Sequence, residues 1–213
     1  MPNKSLLNFS INGCFLNHKL KEESFISFQE KALQSFNEVK TAYYDKKLPA
    51  LSVIYEQESL EHYQKIAHHW QKRFKNVILF GTGGSSLGAQ TCIELYQSRV
   101  STAKDSPYFH FMDNIDPHTF QKLIENIDLQ TTGFLVISKS GTTAETLCQF
   151  LSLISVFKDK LSQDQVIVIT EPKNSPLRRL AEQYHYQVLD HPTQIGGRFS
   201  VFSIVGMLPA FIA

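Results

Sequence analysis

Val77-Ile78-Leu79-Phe80-Gly81-Thr82-Gly83-Gly84-Ser85-Ser86-Leu87-Gly88 is an unbroken apolar run that opens into a loop of glycine and hydroxyl side chains. The run is short and has no polar alternation, as expected of a strand buried on both faces. Helical periodicity follows near 86–98, and the rhythm then repeats. Further β-rich runs occupy Tyr108–Met112, Phe134–Ile137, Val166–Ile169 and Tyr186–Leu189, and helical patterns lie near 117–126, 144–158 and 176–184. Such alternation implies βαβ units, hence an α/β fold with a parallel sheet flanked by helices. Five strands of this kind often take the order 2-1-3-4-5, which makes the first and third strands neighbours. A ligand is then expected beyond the carboxyl ends of those two.

The loops at those two ends are the unusual ones. The third strand runs into Ser138-Lys139-Ser140-Gly141-Thr142-Thr143. Both loops are small and polar, and both lead into a helix, whose first N–H groups and partial positive charge suit an anion. Hydroxyls add donors and Lys139 adds a full charge. The pair reads as a cradle for a phosphate monoester. A dinucleotide fingerprint would need glycine where Ser86 stands, and the first loop lacks the Gly-Lys-Ser/Thr of a nucleotide-triphosphate loop. The competing reading is that Gly and Ser merely form tight turns. Asp116, before Pro117, is read as the N-cap of the helix that follows, with proline at the first helical position.

Upstream, residues 24 to 74 look helical. Phe25, Phe28, Ala32, Phe36 and Val39 recur at helical spacing, as do Leu60, Tyr63, Ala67, Trp70 and Phe74, and both stripes are read as core packing. Pro49 falls in the break between them. Three segments result: helical residues 1–75, a sheet domain 76–197, and 198–213 as the start of a connection to a further subdomain. The 213 residues are 42% hydrophobic and 19% charged, enough apolar material for a core. A net charge of +1 supplies no general field for nucleic acid. Cys14, Cys92 and Cys148 form no C-x-x-C pair and read as reduced thiols of a cytoplasmic protein. The longest apolar stretch, Val201 to Ala213, is too short to span a bilayer, which needs about 20 residues. His68, His69, His110, His118, His185 and His191 show no metal-ligand spacing. His185 and His191 flank the fifth strand and could lie near its ligand end.

At this point the sequence resembles the glucose-6-phosphate isomerases. Gly81 to Gly88 looks like the family's Gly-Gly-Ser-x-Leu-Gly loop. Ser138 to Thr146 is similar to its second phosphate loop, and Ile195-Gly196-Gly197-Arg198-Phe199-Ser200-Val201 to a third signature. The three stand in the family's order. The resemblance implies a sugar isomerase (SIS) domain, flavodoxin-like and three-layered, and aldose–ketose isomerisation between glucose 6-phosphate and fructose 6-phosphate. It implies no cofactor and no metal, and a homodimer for the full-length enzyme. Ser138, Lys139, Ser140 and Thr143 would hold the substrate phosphate, and Gly84 and Ser85 would face the sugar. Arg198 would stabilise the enediolate as the proton moves between carbons. Taken alone, Arg198 reads rather as a structural salt bridge. Ser140, Gly141 and Thr82 depart mildly from related patterns without threatening the site.

The family's glutamate base and its ring-opening histidine and lysine are expected downstream of the Gly-Gly-Arg motif, so the chain by itself is expected to be inactive. The apolar end, Val201 to Ala213, is expected to be a sticky patch that packs on a partner domain. Two alternatives stay open: a non-catalytic SIS module that senses a sugar phosphate, and a related isomerase that accepts mannose 6-phosphate.

Overall fold

The computed structural model describes residues 22–55, 57–96 and 106–213; Cys14 lies outside them. The chain divides into two compact units, Met1–Leu48 and Pro49–Ala213. In the first unit the described element is α1 (Glu22–Tyr44). Its aromatic stripe lies on a helix as expected, but it is not core: Phe28 is 67% exposed, Phe36 61% and Val39 54%. An amphipathic helix buries its stripe only against a second element, and the described residues of this unit supply none.

The second unit begins with α2 (Pro49–Ser52) and α3 (Gln57–Arg73). Strands and helices then alternate: β1 (Asn76–Phe80), α4 (Leu87–Tyr96), β2 (Tyr108–Met112), α5 (Pro117–Asn126), β3 (Thr132–Ile137) and α6 (Ala144–Phe157). β4 (Val166–Thr170), α7 (Pro176–Gln183), β5 (Gln187–Asp190) and α8 (Ile204–Ile212) complete it. All strand pairs are parallel, and the order is β2-β1-β3-β4-β5, as read from the sequence. β1, β3 and β4 are buried almost throughout, and β5 lies half-exposed at an edge. β3 starts at Thr132, before its first apolar side chain, because Thr132 and Gly133 pair by backbone with Asn76 and Val77. Asp116 caps α5, accepting from the N–H groups of His118 and Thr119, with Pro117 at the first position.

Alternation along the strands separates two cores. Val77, Leu79, Leu135, Ile137, Ile167 and Ile169 face α3, α4 and α8, and Ile78, Phe80, Phe134, Val136, Val166 and Val168 face the layer containing α6 and α7. Three layers result. Residues 49–75, grouped with the N-terminal helices in the sequence reading, pack here instead: Ala67, Trp70 and Phe74 are buried on the sheet. The apolar end is also corrected. Ile204, Val205, Leu208, Ile212 and Ala213 are buried within this unit, and α8 lies against α3 and α4. The side-chain amide of Gln71 on α3 donates to the Phe211 carbonyl at 2.9 Å. The stretch is apolar because it completes one face of the sheet. Among the described residues no helix is long and apolar enough to cross a membrane.

Candidate functional site

Parallel pairing brings the strand ends level: Phe80 stands opposite Val136, and Val136 opposite Val168. The chain leaving β1, β3 and β4 therefore emerges at one edge. A cleft of about 530 Å³ opens there, within the range of small-molecule sites. Thr82, Gly84 and Ser85 line it from the first loop, and Lys139, Ser140 and Thr143 from the second. Glu171 and Lys173 follow β4, and Gly196 to Phe199 form the remaining wall. A hollow of about 690 Å³ along α1 is larger, but one helix and its C-terminal turn line it, without a glycine loop.

The second loop is held by its own hydroxyls. Thr143 precedes α6, yet its side chain does not cap the helix. Its Oγ1 lies 2.9 Å from Ser138 Oγ and 3.5 Å from Ser140 Oγ. Ser138 is buried, and its Oγ also accepts from the Gly141 N–H at 3.2 Å. Gly141 has φ +67°, a left-handed conformation that favours glycine. Thr143 stands at the N-cap of α6, whose first N–H groups have no partner within the helix, and Ser140 Oγ accepts from the Thr142 N–H at 3.2 Å.

The third loop is docked on the other two. A Cβ on Gly84 would stand 2.1 Å from the Gly197 carbonyl oxygen and 3.0 Å from the Arg198 nitrogen, both backbone atoms. Only glycine allows that approach. Ser200 Oγ donates to the Gly197 carbonyl at 2.7 Å and reaches the Gly84 carbonyl at 3.5 Å. Gly84→Ala should therefore force the loops apart and lower stability by about 1–3 kcal/mol, as overpacking does. Urea unfolding checks this; an unchanged midpoint would contradict the close packing.

Lys139 closes the arrangement. Its Nζ donates to the Thr193 carbonyl at 3.2 Å and the Ile195 carbonyl at 2.8 Å, and lies 3.4 Å from Glu171 Oε1. The other Glu171 oxygen, Oε2, receives Lys173 Nζ at 2.5 Å. The hydrogen bond from Lys173 holds the Glu171 carboxyl below the usual carboxylate range; burial opposes this, and Lys139 assists it. His191 is buried at the end of β5, with Nδ1 2.9 Å from the Pro192 carbonyl oxygen. Desolvation pushes its ring below the ordinary histidine range, and the Lys139 charge adds to that shift.

Six of the seven residues singled out from the sequence line the cleft: Gly84, Ser85, Lys139, Ser140, Thr143 and Arg198. Ser138 lies beneath them. Arg198 is exposed and forms no ion pair among the described residues. His185 does not approach the ligand end, because it precedes β5 and so lies at the opposite edge. Glu171 and Lys173 escaped the sequence reading. The signal was available: they directly follow β4, the expected neighbour of β3.

Comparison with known proteins bears on the family of the chain. The phosphoglucose isomerase family model matches residues 50–213. The glucose-6-phosphate isomerase of Carboxydothermus hydrogenoformans is 35% identical over 164 residues, covering 73% of this chain and 35% of that protein. That of Thermus thermophilus is 33% identical over 150 residues, covering 69% and 34%. The chain thus spans about a third of the length of the curated relatives it matches. Among solved structures, a hypothetical protein from Thermus thermophilus has a TM-score of 0.71 at 28% identity, covering 90% of this chain and 47% of its own. A glucose-6-phosphate isomerase from Chlamydia trachomatis gives 0.61 at 29%, covering 73% and 30%. The family match begins at the start of the sheet-bearing unit and runs through all three loops, and by that match the chain belongs to the phosphoglucose isomerase family.

Proposed function

We propose that this chain carries the phosphosugar-binding part of a glucose-6-phosphate isomerase. The observation that supports it most is the convergence of three family-like loops on one cleft beside two lysines and an arginine. On this reading the phosphate lies over Ser140, Thr143 and the N-terminus of α6, in the field of Lys139. Ser138 acts through Thr143, whose hydroxyl it orients. Gly84 and Ser85 face the sugar, and Arg198 stands by the reacting carbons, where fixed positive charge stabilises an enediolate. Adding fructose 6-phosphate to ¹⁵N-labelled protein should shift amide signals chiefly in 82–85, 139–143 and 196–198. Shifts centred elsewhere would contradict the placement.

Proton transfer needs a base that titrates near the working pH. The carboxylate among the cleft-lining residues, Glu171, is held low by two lysines and is unsuited to that role. General acid–base help contributes about 10²–10⁴-fold. The chain by itself should therefore convert fructose 6-phosphate no faster than buffer in a coupled assay, and measurable turnover would contradict this. For the whole protein, the same reading carries the homodimer and the cytoplasmic location that the resemblance implies.

A further inference from the structure

We propose that Lys173 is a second cationic ligand for the phosphate in this cleft, anchored by Glu171, and that the anion it takes is a phosphate-monoester dianion. This rests on the reading of the cleft as a phosphosugar site. A lysine ammonium has three hydrogens to donate. Lys139 donates inward to the Thr193 and Ile195 carbonyls, and its ammonium lies 3.4 Å from Glu171 Oε1. It lends charge to an anion, but two of its three hydrogens are held by these carbonyls and the Glu171 carboxylate lies beside it. Lys139 is thus also the clamp that holds the segment leading to Arg198.

Lys173 is placed differently. It lines the same cleft as Ser140 and Thr143, and its side chain is 54% exposed. Its ammonium contacts Glu171 Oε2, which leaves hydrogens to direct at a ligand. Glu171 is a fixed anchor, its side chain only 10% exposed, and it lies between two ammonium groups that would otherwise repel. The charges fit as well. Three cations and one carboxylate around the cleft leave a net charge of two, against about −1.5 to −2 on a phosphate monoester at neutral pH. Without Lys173 half of that balance is lost.

The test is calorimetric titration of the chain with fructose 6-phosphate and, separately, with inorganic phosphate. Wild type is compared with Lys173→Met and with Lys122→Met, an exposed lysine on α5 outside the cleft. Melting curves establish that each variant is folded; Lys173→Gln replaces the methionine variant if that one is not. Loss of a charged hydrogen bond should weaken both ligands about tenfold or more in Lys173→Met. Lys122→Met should match wild type. Affinities within about twofold of wild type in Lys173→Met would overturn the proposal, as would a loss confined to the sugar phosphate. If Lys139→Ala still weakened binding, the phosphosugar reading would stand without Lys173. Folded wild type that binds neither ligand overturns both.

Discussion

Lys139→Ala should weaken fructose 6-phosphate binding by about 1.5–3 kcal/mol, or about 10- to 150-fold. Two effects combine. The variant removes a positive charge from the cleft, and that charge is little screened because the side chain is only 28% exposed. It also releases the Thr193 and Ile195 carbonyls, and with them the segment that brings Gly196, Gly197 and Arg198 to the first loop. Lys139→Arg keeps the charge but not the compact three-donor geometry, so it separates the contributions. If charge dominates, arginine restores most of the affinity. If the clamp dominates, it does not. Titration of each variant with fructose 6-phosphate checks this, and wild-type affinity in Lys139→Ala would contradict both.

Leu208→Ala should destabilise the protein by about 2–5 kcal/mol, the usual range for a truncated, fully buried leucine. Leu208 is fully buried on the face shared by α3, α4 and α8, in the cluster that holds Trp70 and Leu79. Urea unfolding followed by tryptophan fluorescence reads the effect, because Trp70 lies in that cluster. A loss under about 0.5 kcal/mol would mean that the segment does not contribute to this core.

Periodicity made the sheet legible. The runs around Val77, Phe134 and Val166 are apolar because their strands are covered on both faces, and burial leaves that mark on the sequence. Strand order followed from connectivity. What failed was the partner of each apolar stripe, since periodicity shows that a face is apolar but not what covers it. The stripes on α1 and α3 look alike in sequence, yet Phe36 is exposed and Trp70 is buried. The same gap made Val201 to Ala213 look like a surface for another domain, although it closes its own.

At the cleft, residues within recognisable loops were readable, because glycines and hydroxyls at a strand end have few other uses. Glu171 and Lys173 were overlooked, since an acid and a lysine in a turn resemble ordinary surface, although their place directly after β4 was readable. Only the sheet order and the fold of Lys139 onto Glu171 give them meaning. Ser138 and Thr143 showed a similar limit. Sequence marked both as hydroxyls near a helix start, but it could not show that one lies beneath the other.

The most informative measurement is calorimetric titration of the purified chain with fructose 6-phosphate, with fructose and inorganic phosphate run alongside. Saturable one-site binding of the sugar phosphate, weaker binding of phosphate and none of fructose are the expected results. A folded protein that bound fructose as well as its phosphate, or that bound none of the three, would contradict the assignment of the three loops to a phosphosugar site.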